Sequence, residues 1–139
     1  MDQAFSFYDF ILTFENFCCK HSKDNFNKEI FSVKFKILFF VYKYKKLSPS
    51  EIVKFLSMAK SNVALFCKQL IKEQLIISSC DELDHRIIYY CLTKKGEKFV
   101  QNNLNLLEEL FKQNFSNLEN KDMHNSIKKV NKIFLKAGE

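Results

Sequence analysis

Glycine and proline are almost absent from this chain, and their scarcity limits the folds it can adopt. Among 139 residues there are two glycines and one proline. Because these residues supply most tight turns, we expect few, long elements joined by short links. Hydrophobic residues make up 47% of the sequence, enough for the core of one domain spanning residues 1–139. Since helix-favouring residue types dominate, the expected fold is mainly α.

Positive charge is concentrated in the middle of the chain. Between Val33 and Lys72 there are nine lysines and one acid, Glu51, a net charge of +8 compared with +6 for the whole chain. A phosphate-binding surface needs such a block, because each neutralised phosphate releases counterions. A lysine surface kept for solubility would have the same composition, so the block alone leaves both interpretations open.

Several classes of protein are not indicated by the sequence. No apolar run approaches the roughly 18 residues that span a bilayer, and the start, MDQAFSFYDF, has acids where a secretory signal has bases. We therefore expect a cytoplasmic protein without a membrane partner. The five cysteines form no C-x-x-C pair, so reduced, mostly buried thiols and no metal site are expected. With no glycine-rich phosphate loop and three scattered histidines, neither an enzyme nor a cofactor is expected.

Apolar residues recur at helical spacing in four segments that lie before residue 45 or after residue 93. These are residues 4–20, residues 28–44, residues 94–118 and the stretch after Lys121. The first helix is apolar around more than half of its circumference. It must therefore lie deep in a core or contact a second chain.

The clearest helix start lies in LSPSEIVKFLSM, within the basic block. Ser48, Pro49 and Glu51 match the N-cap, the first helical position and the acidic partner of a capping box. A second helix, AKSNVALFCKQLIKEQL, restarts about three residues later. Its buried face is expected to comprise Val63, Phe66, Cys67, Leu70 and Ile71. Two short helices joined by a tight turn predict a helix-turn-helix, whose second helix fits the DNA major groove.

A β-wing is predicted after this pair of helices. LIISSC and RIIYYCLT are β-branched and aromatic runs separated by the polar DELDH, which indicates a strand, a loop and a strand. Thr93 can then cap the next helix. The predicted fold is mainly α with a small two- or three-stranded antiparallel wing, and the winged helix-turn-helix occupies residues 30–97.

The wing carries a resemblance to a known family. Asp84-His85-Arg86, apolar strand residues and then Leu92-Thr93-Lys94-Lys95-Gly96 resemble the D-x-R … L-T-x-x-G signature of MarR-family winged-helix transcriptional regulators. SarA-like proteins share the acidic-x-Arg wing and are the second resemblance. The resemblance implies a homodimer that binds a pseudo-palindromic operator in double-stranded DNA. We expect it to act as a repressor, with activation as the alternative. The resemblance also implies that residues 1–28 and 98–139 form a helical dimerisation region.

The resemblance further implies roles for individual side chains. Arg86, the only arginine in the chain, would enter the minor groove beside His85, and Asp84 would hold the wing loop. An Asp84–Arg86 pair that only stabilises the turn is the alternative, and the two roles can coexist. The second helix would present five residues to the major groove: Lys60, Ser61, Asn62, Leu65 and Lys68.

Some members of the MarR family respond to oxidants or to small aromatic effectors. Cys18 and Cys19 lie in the region where the oxidant sensors carry their cysteine, and the adjacent Lys20 would favour a thiolate. The 21 aromatic residues are numerous enough to line an effector pocket, although aromatic residues at helical spacing more often belong to the core.

The sequence departs from the family pattern at three places. Gln74 stands where the family often has glycine, so the second helix is expected to end without a left-handed cap. The wing has acids at positions 81, 82 and 84, and Leu65 replaces a polar or basic contact. These departures support a second hypothesis, a winged-helix protein-interaction module with weak or no DNA binding.

Overall fold

The computed structural model describes residues 3–22, 29–30, 32–115 and 120–138, which form six helices and three strands. The helices are α1 (Gln3–Ser22), α2 (Val33–Tyr44), α3 (Pro49–Leu56), α4 (Lys60–Lys72), α5 (Lys94–Asn114) and α6 (Asn120–Ala137). The strands are β1 (Lys46–Leu47), β2 (Ile76–Cys80) and β3 (Ile88–Leu92), which form one antiparallel sheet in the order β1-β3-β2. The predicted mainly α fold with a small antiparallel wing is confirmed. No helix among the described residues has both the length and the apolar character to cross a membrane.

The chain divides into two compact units, and the boundary falls within α5. One unit extends to Asn105 and the other begins at Leu106. The first unit contains α1 to α4, the sheet and the start of α5. The second unit contains the rest of α5 and α6. Leu118, which the periodicity places on the apolar stripe of the long helix, lies outside the described residues.

The core of the first unit lies where α2, α3, α4 and the sheet meet. Its fully buried side chains are Ile37, Leu38, Val41, Leu47, Ile52, Val63, Cys67, Leu70, Ile76 and Val100. The predicted burial of Val63, Cys67 and Leu70 is confirmed. The predicted burial of Ile71 is wrong, since 41% of it is exposed. The chain reverses direction just after α4 and brings Leu75, rather than Ile71, into the core.

Side-chain caps start α2 and α3. The predicted capping box of α3 is confirmed: the Glu51 amide donates to Ser48 Oγ at 3.3 Å, and the Ser48 amide donates to Glu51 Oε1 at 3.0 Å. Residue 28, the predicted start of α2, lies outside the described residues, but residues 29–30 form a turn, so the predicted start is too early. The helix begins at Val33, because Ser32 Oγ accepts the Phe35 amide at 3.1 Å and caps the first turn.

The end of α4 contradicts the expectation based on Gln74. This residue has a φ of 61° and is therefore in the left-handed conformation without being glycine. The Leu75 amide donates to the Leu70 carbonyl at 3.0 Å, and the Gln74 amide donates to the Ile71 carbonyl at 2.9 Å. This is the hydrogen-bond pattern of a Schellman motif. Burial of Leu70 and Leu75 holds the turn despite the side chain at position 74.

Replacing Gln74 with glycine should stabilise the protein. A side chain in the left-handed conformation costs about 1–2 kcal/mol, and part of that gain is lost to the greater freedom of glycine in the unfolded chain. We expect Gln74→Gly to raise the free energy of unfolding by about 0.5–1 kcal/mol, measured by urea titration. Gln69→Gly, the same exchange on the exposed side of α4, should lower it by about 1 kcal/mol. Equal effects of the two variants would contradict this account.

Candidate nucleic-acid interface

Helix α4 buries one face and exposes the other. Val63, Cys67 and Leu70 are buried. The five residues predicted to face DNA are all exposed: Lys60, Ser61, Asn62, Leu65 and Lys68. They lie within the first nine residues of the helix, so one surface presents two ammonium groups, an amide, a hydroxyl and an apolar side chain.

The N-terminus of α4 lacks a side-chain cap. Ala59 occupies the N-cap position and makes no side-chain hydrogen bond, whereas Ser32 and Ser48 cap α2 and α3. The first N–H groups of a helix carry partial positive charge and favour anions. The start of α4 therefore combines a helix N-terminus that has no side-chain cap with the side chains of Lys60 and Ser61.

The wing tip is a turn organised by Asp81. Its Oδ1 accepts the amides of Leu83 at 2.8 Å and Asp84 at 3.1 Å. The Asp81 amide donates to the Ile87 carbonyl at 2.9 Å, and the Ile87 amide donates to the Asp84 carbonyl at 3.0 Å. The sequence reasoning missed this role. The signal was present, because an aspartate at the start of a polar loop often accepts backbone N–H groups two and three residues later.

Asp84 and Arg86 form a two-point ion pair at the same tip. Arg86 Nε donates to Asp84 Oδ1 at 3.0 Å, and Arg86 Nη2 donates to Asp84 Oδ2 at 3.1 Å. The Arg86 amide also donates to Asp84 Oδ1, at 3.1 Å. Because a guanidinium has five N–H donors, three remain for another partner. The Arg86 side chain is 91% exposed, so the pair fixes the guanidinium without covering it.

The acids of the wing have different roles. The carboxylates of Asp81 and Asp84 accept hydrogen bonds inside the turn, whereas Glu82 is exposed and makes no such bond among the residues that the structure describes. His85 is also exposed, and Leu83 is 98% exposed. Two of the three acids are therefore explained by the turn that holds Arg86.

The Asp84–Arg86 pair should depend on pH only in the acidic range. The side-chain and then the backbone hydrogen bonds from Arg86 lower the pKa of Asp84 below its ordinary value of 3.8. A carboxyl with a lowered pKa stabilises the folded turn above its unfolded pKa and loses that effect as the pH falls through the folded value. We expect the NMR signal of Arg86 Nε–H to stay constant from pH 7 to about pH 4 and to shift below it. A shift centred near neutral pH would contradict the pairing.

Thr93 and Gly96 join the end of α4 to the start of α5. The Thr93 hydroxyl donates to the Gln74 carbonyl at 2.6 Å and accepts the Gly96 amide at 3.0 Å. The Thr93 amide donates to the Leu75 carbonyl at 3.1 Å. A Cβ on Gly96 would overlap that same carbonyl oxygen. The L-T-x-x-G segment therefore positions the candidate recognition helix.

The cysteines give little support to redox chemistry. Only Cys67 is buried, so the expectation of mostly buried thiols is wrong, and burial raises the pKa of Cys67 to about 11. Burial, and then the neighbouring Cys19, raise the pKa of Cys18. A raised pKa disfavours the reactive thiolate. Among the described residues, no three metal-ligating side chains are grouped.

Residues 32–88 match the family model described as MarR family. This segment of the chain is similar to MarR-family proteins. The match covers α2, α3, α4, β2 and the wing turn, which are the elements that position the exposed face of α4 and Arg86. The resemblance first seen in the wing signature is thereby confirmed. No curated protein matches the chain in sequence.

Several solved structures, one of them a MarR transcriptional regulator, have the same fold. The transcriptional regulator BldR from Sulfolobus solfataricus is 19% identical, with a TM-score of 0.74 over 98% of this chain and 99% of that chain. A MarR transcriptional regulator from Methanosarcina mazei is 20% identical, with a TM-score of 0.71 over 93% and 99%. A mutant of S. aureus MepR bound to an oligodeoxyribonucleotide is 19% identical, with a TM-score of 0.63 over 94% and 97%. The chain therefore has the same fold as these three proteins.

Proposed function

We propose that this protein is a sequence-specific, double-stranded DNA-binding transcriptional repressor that acts as a homodimer on a pseudo-palindromic operator. The observation that carries the proposal is the exposed face of α4, which lies opposite a fully buried stripe of the same helix. The exposed guanidinium of Arg86 on the adjoining wing adds a second contact. MepR, a protein with the same fold, has been solved with bound DNA, and the proposal includes no catalytic step.

The exposed side chains of α4 suit the major groove. The amide of Asn62 can pair with an adenine edge, and Lys60 and Lys68 can reach guanine or phosphate. Leu65 is 58% exposed and can contact a thymine methyl group, which gives a DNA-binding role to this departure from the family pattern. Arg86, with His85 beside it, would contact the minor groove, whose negative potential favours a guanidinium.

The proposed homodimer rests on apolar helix surfaces. No described side chain of α1 is buried, and its exposed residues include Tyr8, Ile11, Leu12 and Phe14. Helix α6 exposes Ile127, Val130, Ile133 and Leu135. Apolar patches of this kind mark interaction surfaces. A second copy that covers them would give two recognition helices, which a dimer places about one DNA turn apart.

The dimer should be visible by sedimentation at micromolar concentration. The expected mass is twice the 16.5 kDa of one chain. Ile127→Glu places a charge on the apolar stripe of α6 and should weaken dimerisation at least about tenfold, because an unpaired interfacial charge costs well over 1 kcal/mol. Lys128→Glu, at the next and exposed position, is the control and should leave the mass unchanged. A monomeric wild-type protein would contradict the proposed dimer.

We also propose that the protein responds to a small aromatic anion. A cavity of about 510 Å³ lies between α2 and α3 and is lined by Ile30, Val33, Phe35, Lys36, Phe39, Phe40, Phe55, Leu56 and Met58. Eight of these residues are apolar and one is cationic, a composition that suits an aromatic ring with a carboxylate. Isothermal titration with benzoate and with uncharged benzamide tests this part, and benzoate should bind more tightly.

Titration with DNA distinguishes the proposed DNA-binding regulator from the alternative, a winged-helix protein-interaction module with weak or no DNA binding. A duplex selected by the protein from a random-sequence library and a scrambled duplex of equal composition are each titrated at several salt concentrations. A DNA-binding regulator should prefer the selected duplex and lose affinity steeply as salt rises. If no preferred duplex is recovered and affinity is weak, the protein-interaction module is favoured, with Leu83, Leu65 and Glu82 on its exposed surface.

A further inference from the structure

An ion pair outside the proposed DNA-contacting surface joins three elements at the end of α4. Lys34 Nζ, in the first turn of α2, lies 2.7 Å from Glu73 Oε2, just after the last residue of α4. The same ammonium group lies 5.0 Å from the centre of the Phe99 ring, in α5, and 3.9 Å from Glu29 Oε1. The side chains of Lys34 and Glu73 are partly buried, at 31% and 47% exposed.

A further lysine holds the backbone at the same place. Lys95 Nζ, in the first turn of α5, donates to the Glu73 carbonyl at 2.9 Å. The carboxylate and the carbonyl of one residue therefore each bind a different lysine. These contacts lie directly before Gln74 and Leu75, whose carbonyls accept the hydrogen bonds of Thr93.

Neither charge of the pair is favoured by its own helix. The N-terminus of a helix carries partial positive charge, which disfavours Lys34, and the C-terminus carries partial negative charge, which disfavours Glu73. Among the described residues, Lys34 is compensated by Glu73, Phe99 and Glu29, and Glu73 is compensated by Lys34. If only the stability of each helix mattered, an acid at position 34 and a base at position 73 would be preferred. The observed charges therefore indicate that the pair serves to connect α2 with the end of α4.

We propose that the Lys34–Glu73 pair is a positioning contact that fixes the end of α4 against the first turns of α2 and α5, and so sets how α4 is presented to DNA. This inference rests on the proposed DNA-binding function. Because both partners lie at the end of α4 remote from Lys60, Ser61 and Asn62, the pair acts through the orientation of the helix and contacts no base.

The test compares a variant that reverses the charge at one position with a variant that exchanges the two charges. The readout is discrimination, which we define as the dissociation constant for the scrambled duplex divided by that for the selected duplex. Lys34→Glu should lower discrimination about five- to tenfold, since coupled contacts of this kind are worth about 1 kcal/mol. The double variant Lys34→Glu/Glu73→Lys restores the pair and the net charge, and it should recover discrimination to within about twofold. Circular dichroism at the assay temperature confirms that each variant is folded.

A matched control removes the effect of net charge. Lys43→Glu changes the charge of α2 equally, at its other end, and should weaken binding to both duplexes by a similar factor without changing the ratio. If Lys34→Glu behaves like Lys43→Glu, or if the double variant fails to recover discrimination, the positioning role is refuted. If the wild-type protein itself does not discriminate between the duplexes, the proposed function is refuted, and the inference with it.

Discussion

Gly96→Ala should destabilise the protein by about 2–3 kcal/mol, although glycine to alanine in a helix normally stabilises by about 1 kcal/mol. The added Cβ would overlap the Leu75 carbonyl oxygen, a backbone atom that cannot move freely because it accepts the Thr93 amide at 3.1 Å. Relief of the overlap would separate α5 from the end of α4. The free energy of unfolding from urea titration measures the effect.

Gly138→Ala is the control for Gly96→Ala. A Cβ at position 138 would lie 3.7 Å from the Phe134 carbonyl oxygen, which is ordinary van der Waals contact. This variant should change the free energy of unfolding by less than about 0.5 kcal/mol. If Gly96→Ala were also neutral, the close approach of α5 to Leu75 would be contradicted.

Arg86→Ala should lower affinity for the selected duplex about 10- to 100-fold, the effect of losing one good groove contact. Arg86→Lys should recover little of this loss, because an ammonium group cannot reproduce the two-point pairing with Asp84 and fits a narrow minor groove less well. The guanidinium is already held at the exposed tip, so little ordering cost accompanies its binding. Fluorescence anisotropy at constant salt measures these affinities.

Lys132→Ala removes one positive charge from α6 and is the control for Arg86→Ala. Lys132 is exposed and belongs to the other compact unit. The Lys132→Ala variant should lower the affinity for the selected duplex by less than about threefold, because it changes only the net charge. Equal losses for Arg86→Ala and Lys132→Ala would show that Arg86 contributes only charge.

Local sequence signals predicted the elements that carry the candidate site. The capping box at Ser48 and Glu51 fixed the start of α3, and the buried stripe through Val63, Cys67 and Leu70 oriented α4. These predictions succeeded because they depend on hydrogen bonds and burial within a few residues. The same periodicity misplaced Ile71, because the turn that follows α4 decides which side chain reaches the core.

Contacts between residues that are far apart along the chain could not be predicted from the sequence. Nothing local to Gln74 predicts a left-handed residue, which is held by the burial of Leu70 and Leu75. The counting of wing acids likewise could not show that Asp81 builds the turn that holds Arg86. The Lys34–Glu73 pair joins residues 39 positions apart in the sequence, and no periodicity signals it.

Methylation interference on the selected duplex tests the central claim most directly, because methylation by dimethyl sulfate marks guanine N7 in the major groove and adenine N3 in the minor groove. Contact from the exposed face of α4 and from Arg86 predicts interference in both grooves of each half-site, and Arg86→Ala should remove only the minor-groove signal. Interference confined to one groove, or an unchanged pattern in Arg86→Ala, would contradict a winged helix that holds DNA through both grooves.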